Sequence, residues 1–385
     1  MNMKSFIGIA DDLAAFRRYI DEEQLDYTIF PRRKFTRPTY RYRGYLMIKI
    51  RSGEIALTTA RRRMQTAIAF YRWLVCEGWF KPEYPLWDEK DILFHVVDSV
   101  GLKSSIAVKT TDVSIKSIKQ NNPYDGMIED GGKLRPLSIN EQEELVKTLI
   151  EIGNIEMTLA HLIALFTGAR IQTVLTIKSR HVRAELDENV MEVPLCCGPG
   201  TGIDTKYEKS QILFFPRWLY EKLQVYSYSE RAEARRKKST QSDTYLFLSS
   251  HGNPYYQDKL EINRFDKTRT KRYEASGATL RMFLSERVLP LMQKKMGKEF
   301  HYRFHDLRAT FGMNLIDSQL KYVEKGDITL HDAREFVKIR MWHKSSNVTD
   351  RYLQYRKRMK MVTEVQLHYE EHLWHLIETA KNVLA

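Results

Sequence analysis

Between residues 121 and 138 the chain reads NNPYDGMIEDGGKLRPLS, and no long helix or central strand runs through such a stretch. Asn121, Asn122, Pro123, Gly126, Gly131, Gly132 and Pro136 concentrate turn formers and chain flexibility. At 385 residues the chain is long for a single core. The expected organisation is therefore residues 1–130 as a small helical domain, 131–137 as a linker and 138–385 as a second domain.

Helical periodicity fills both halves. In GEIALTTARRRMQTAIAFYRWLVCEGWF the apolar positions Ala60, Met64, Ala67, Ile68, Tyr71 and Leu74 recur at helical spacing after a threonine cap, Thr58 or Thr59, while Arg61, Arg62, Arg63 and Arg72 fall on the opposite face. Beyond the break, Ser138 followed three residues later by Glu141 predicts a capping box and a helix, and IEMTLAHLIALFTGARIQTVLTI predicts another. NVMEVPLCC, TKYEKSQILFFP and TYLFLSS read as strands. From residue 275 onward the pattern is mainly helical. The fold class expected is mainly α with a small antiparallel β-sheet.

The net charge of +13 and a pI near 9.4 favour an anionic partner, and nucleic acid is the leading one. Residues 31–51, PRRKFTRPTYRYRGYLMIKIR, interleave cations with aromatics and contain no acid. Arg32, Arg33, Lys34, Arg37, Arg41 and Arg43, with Arg61, Arg62 and Arg63, are the candidate phosphate contacts; the competing reading of the stretch is a solvated, partly extended loop. Cys76, Cys196 and Cys197 form no disulfide framework and no CxxC spacing, which fits a reducing compartment. The amino-terminal apolar run is too short for a signal peptide, and no apolar run of about 18 residues occurs. A cytoplasmic, nucleoid-associated protein without a membrane partner is expected. CGPGTGIDTK lacks the Gly-Lys-Ser/Thr ending of a phosphate loop and reads as a glycine-rich turn between strands.

Several residues stand where chemistry could be done. Arg170 lies between apolar stretches, and a buried arginine requires an anion or a carboxylate. His305 and Arg308 are neighbours on one helical face in RFHDLRATFGMNLI, a pair that suits an oxyanion. Lys206 opens a predicted hairpin. His343 precedes Tyr352 by nine residues, which on one continuous helix would set them on opposite faces. A break at KSSN, with Ser345, Ser346 or Asn347 capping the next helix, would let Tyr352 swing back towards His343, as the resemblance below requires. Tyr355 shares nearly the same face as Tyr352.

These pieces together resemble the tyrosine recombinases, the integrases of phages and mobile elements. TGAR, TKYEKSQILFFP, HDLRATF and WHKSSNVTDRY each resemble one of the family's motifs and occur in the family's order. The resemblance implies a helical core-binding domain ahead of an α+β catalytic domain, with Arg170, Lys206, His305, Arg308, His343 and Tyr352 as catalytic residues. Lys206 is picked over Lys209 by likeness to a Thr-Lys-x-x-Lys-Ser pattern, and Tyr352 over Tyr355 by its spacing from His343. Thr173 departs from the family, which commonly has an acid there, so another group is expected to steady Arg170. The implied reaction is site-specific recombination or integration through a 3′-phosphotyrosyl link, needing no cofactor and no metal. Four copies on duplex DNA with specific core sites are implied, and accessory DNA-bending factors are compatible. Two alternatives are a type IB topoisomerase-like or hairpin-forming strand transferase and a non-catalytic sequence-specific DNA-binding protein. His368, His372 and His375 share a helical face in the tail and read as a polar interface rather than a zinc site.

Overall fold

A computed structural model describes residues 4–97, 103–116, 126–187, 189–239, 244–259 and 275–359. The tail with His368, His372 and His375 lies outside the described residues. The chain divides between Asn121 and Asn122 into two compact units. Among the described residues no helix is long and apolar enough to cross a membrane.

The first unit holds α1 (Lys4–Glu22), α2 (Pro38–Arg51) and α3 (Leu57–Cys76). Much of the basic-aromatic stretch is thus helix rather than extended loop. Pro38 starts α2, where its missing N–H costs no intrahelical bond. Helix α3 buries Ala60, Met64, Ala67, Ile68 and Tyr71, following the sequence pattern, although it begins after Ala56 with no side-chain cap. Its core is aromatic: Phe16 meets Tyr42 edge-on at 4.8 Å and Phe30 meets Tyr71 at 5.2 Å. Two nine-residue strands that the sequence reading did not anticipate, β1 (Glu89–Val97) and β2 (Lys103–Thr111), pair antiparallel from Glu89↔Thr111 to Val97↔Lys103.

The second unit opens with a short hairpin, β3 (Ile128–Glu129) and β4 (Lys133–Leu134). The expected linker at 131–137 therefore falls inside this unit. The physical reason is burial: Ile128 and Leu134 join a cluster with Ala309, Phe311, Val337, Met341 and Tyr352. Ser138 then caps α4 (Ile139–Ile152) through the predicted box, its Oγ accepting from the Glu141 amide at 3.3 Å while its own amide donates to the Glu141 carboxylate at 2.7 Å. Helix α5 (Ile155–Thr167) is buried on most of its surface and forms the centre of the main core. It stops at Gly168, whose φ of 66° favours glycine. Helix α6 (Ile171–Thr176) follows at once.

Strands β5 (Glu192–Cys197) and β6 (Gln211–Pro216) form the antiparallel hairpin expected there, joined through a turn with positive-φ Gly198, Gly200 and Gly202. Then come α7 (Arg217–Tyr228) and α8 (Glu230–Lys237). TYLFLSS does not form the expected strand. Tyr245, Leu246, Phe247 and Leu248 are all buried, and the segment makes only isolated bridges, Lys178↔Tyr245 and Leu248↔Pro254. Four consecutive buried residues pack on both sides instead of alternating. Helices α9 (Ala278–Phe283), α10 (Leu289–Met296), α11 (Asp306–Lys325) and α12 (Leu330–Arg340) complete the core, and residues 346–359 form a last helical run, α13. The described chain is mainly α with small antiparallel sheets.

Candidate active site

Chain reversals position most of the candidate side chains. Arg170 is the residue before α6, held there by the Gly168 stop. His305 is the residue before α11, and Arg308 lies in that helix's first turn. His343 follows the end of α12, where Trp342 takes a left-handed φ of 54° and donates its indole N–H to the Ile212 carbonyl of β6 at 3.0 Å. Ser345 caps the next helix by accepting from the Asn347 amide at 3.2 Å. The helix break inferred from the nine-residue spacing is present, and it brings the rings of His343 and Tyr352 to 5.6 Å.

One residue absent from the sequence reading lies at the centre. Asp130, in the β3–β4 turn, is 5% exposed, and its Oδ2 accepts from Arg308 Nε at 2.7 Å, from the Tyr352 hydroxyl at 3.1 Å and from His343 Nε2 at 3.3 Å. A carboxylate only accepts, so His343 carries its proton on Nε2 and its Nδ1 accepts from the Thr349 hydroxyl at 2.9 Å. Arg170 Nη2 is 3.7 Å from Asp130 Oδ1, and His305, just before the helix turn that carries Arg308, lies near enough to Arg170, Arg308 and Asp130 to feel their charges. Arg308 also donates to the carbonyls of Gly168, at 2.9 Å, and Met341. Lys206 is half-buried on the β5–β6 hairpin with its ammonium 5.1 Å from the Tyr207 ring centroid. A methyl placed on Gly131 would lie 3.4 Å from the Lys206 ammonium and 4.0 Å from the Arg170 guanidinium, so both cations line the same turn. Lys209, the alternative lysine, is exposed and lines an open groove of about 540 Å³ with Lys338, Trp342, His343 and Lys344.

The electrostatics follow from burial among cations. Burial alone would raise the Asp130 carboxyl, but the His343 hydrogen bond and the charges of Arg308 and Arg170 hold it well below the usual carboxylate range. His305 is pushed down to about 4 by burial and by the adjacent Arg170 and Arg308, which leaves it neutral at pH 7. Burial and then the Arg308 charge push Arg170 down to about 10. Burial, reinforced by Asp130, holds the Tyr352 phenol well above its ordinary value. The Arg170 Nε is buried without a hydrogen-bond partner among the described residues, as is common where a ligand completes a site.

The first unit's candidate cations fare unevenly. Arg37 is 6% exposed and donates to the carbonyls of Pro31, Arg32 and Pro85, so it holds a loop together and cannot reach a phosphate. Lys34 pairs with Asp88 and Asp112, Arg41 with Glu23 at 2.5 Å, and Arg62 and Arg63 with Asp12 at 3.0 and 3.9 Å. Arg32, Arg33 and Arg61 are exposed, and Arg43 is half-buried. No group of three or more potential metal ligands occurs among the described residues.

No family model matches the chain, and no curated protein matches it. Among solved structures it is similar to an integrase, that of the Tn1549 transposon in complex with circular intermediate DNA, at 13% identity and a TM-score of 0.47 over 91% of this chain and 92% of that one. It is likewise similar to a lambda integrase dimer bound to a COC′ core site, at 13% identity and a TM-score of 0.47 over 91% of this chain and 89% of the other.

Proposed function

We propose that the protein is a DNA strand transferase that cuts and rejoins duplex DNA at specific sites through a phosphotyrosyl link on Tyr352. The observation that carries this reading is the convergence of Arg308, His343 and the Tyr352 hydroxyl on one buried carboxylate oxygen, with Arg170 3.7 Å from the other oxygen. A cluster of that kind suits a phosphodiester. Two guanidiniums would meet the charge that builds on the nonbridging oxygens, and His343 would add a hydrogen bond there. Neutral His305 would take the phenol's proton as Tyr352 attacks phosphorus, since a phenol is a poor nucleophile at pH 7. Lys206 would protonate the departing 5′ oxygen. The 3′ phosphate would remain on the tyrosine, so that a 5′ hydroxyl of a second strand could reverse the step. Two duplexes, each cut on both strands, would need four copies of the chain.

The test is covalent trapping. A pool of nicked duplexes with a randomised core, whose short 5′ fragment leaves after cleavage, should give a detergent-resistant, protease-sensitive protein–DNA adduct. Tyr352→Phe should bind the pool and trap nothing, while Tyr355→Phe should still trap. A nucleotide mapped to Tyr355 or to a serine would sink the assignment of the nucleophile.

A further inference from the structure

We infer that the Asp130 carboxylate occupies the place of the scissile phosphate, and that the β3–β4 hairpin must withdraw before DNA is cut. This rests on the phosphoryl-transfer reading above and adds a regulatory element to it.

The first argument is access. Tyr352 is 0% exposed, Arg308 and Asp130 5% and His343 8%. A phosphodiester in a DNA backbone cannot approach a hydroxyl so covered, and a buried carboxylate repels a second anion. The second is stoichiometry of acceptors. Asp130 satisfies Arg308, His343 and Tyr352 through one oxygen, while its other oxygen stays 3.7 Å from Arg170 and the Arg170 Nε finds no partner. A phosphate has more oxygens, in a tetrahedral arrangement, and could meet the donors a planar carboxylate leaves unserved. The third is the hairpin itself. It is short, with two paired positions, Ile128↔Leu134 and Glu129↔Lys133, and withdrawal would have to unseat Ile128 and Leu134 from the cluster they share with Phe311, Met341 and Tyr352. Its outer ties come from exposed side chains: Arg351 donates to the Glu129 carbonyl at 2.8 Å and Arg303 to the Lys133 carbonyl. Arg308 would keep its shape after withdrawal, because the carbonyls of Gly168 and Met341 hold two of its nitrogens independently.

The rival role, a permanent positioning residue for Arg308 and Tyr352, predicts the opposite sign in every variant. Asp130→Asn keeps the shape and removes the competing charge. It should trap the nicked duplex pool faster than the wild type at saturating DNA, by roughly tenfold or more, the factor one charged hydrogen bond commands. Without DNA, it should also bind inorganic phosphate measurably more tightly than the wild type by calorimetry, and Arg308→Lys in the same background should abolish that gain. Arg351→Ala, which loosens the hairpin from outside the cluster, should also trap faster and serves if Asp130→Asn does not fold. Where the wild type traps DNA, slower or unchanged trapping in these variants would overturn the inference, and so would the absence of any gain in phosphate binding. If no variant traps DNA yet Asp130→Asn gains Arg308-dependent phosphate binding, the occupied anion site stands and the strand-transfer reading fails.

Discussion

At the residue scale the site is governed by one buried carboxylate among cations, and its energetics set what substitutions will do. Arg308→Ala leaves Asp130 buried beside a cavity with its shortest partner gone. Breaking a buried pair in this way should cost roughly 3–5 kcal/mol by urea unfolding, and Asp130→Asn added to it should recover part of that loss, a coupling that a double-mutant cycle reads directly. No recovery would mean that the pair is not coupled. Acid sensitivity follows from three histidines lowered by burial: His305 and the fully buried His161, both pushed down to about 4, with Arg170 and Arg308 adding to the effect at His305, and His343 beside Asp130. The unfolded chain takes up these protons as pH falls through about 6.5 while the folded one resists, until about 4 at His305 and His161, so stability should fall progressively across that window and be level above it. His161→Phe should flatten the fall of melting temperature with pH, because it removes one buried titrating group and keeps an aromatic ring where His161 meets Phe304 at 5.1 Å. An unaltered fall would put the sensitivity elsewhere. Arg170, His305, Arg308, His343 and Tyr352 were legible because each lies in a motif of recognisable spacing. Asp130 was not, because IEDGGK reads as a flexible turn and its partners lie up to 222 residues away.

The element scale explains how Tyr352 is seated. Helix α13 lies against α11 at Gly312, where an added methyl would come within 2.5 Å of the Met341 sulfur and 2.6 Å of the Tyr352 ring. That glycine sits inside a helix with no conformational need for it, and close approach is the reason for its presence. Gly312→Ala should therefore overpack the contact and destabilise by roughly 1–3 kcal/mol. It should also push the Tyr352 ring out of register, so that trapping falls more than stability alone accounts for; a drop in the urea midpoint with full trapping would show that the ring tolerates the shift. The capping box and the KSSN break could be read in advance, since each is local chemistry, whereas IEMTLAHLIALFTGARIQTVLTI, read as one helix, is stopped at Gly168 and divided into α5 and α6. The β1–β2 strands escaped notice and TYLFLSS was misassigned, since pairing depends on partners that local composition does not name.

On the scale of the whole molecule, the excess of positive charge is distributed less simply than the formal +13 implies. The basic face of α3 contains Arg61, Arg62 and Arg63, but Arg62 and Arg63 both face Asp12, which is 2% exposed. The sequence could not display this pairing, because Asp12 lies some fifty positions upstream on a different helix. Replacing all three arginines would leave a buried carboxylate without its cations and would mix lost stability with lost DNA binding. Arg61, exposed on the same helix, isolates the electrostatic question. If α3 meets a phosphate backbone through this residue, Arg61→Ala should weaken binding to a random-sequence duplex and flatten the slope of log affinity against log salt by about 0.9, the value for one phosphate contact on duplex DNA. The melting temperature should stay unchanged, since the substitution removes no buried partner. Arg37→Ala makes the contrasting control: it should leave the salt slope alone and lower stability, because its guanidinium holds three carbonyls rather than a phosphate. An unchanged slope for Arg61→Ala would remove α3 from the DNA interface and shift the search to Arg32 and Arg33, the exposed cations that precede α2.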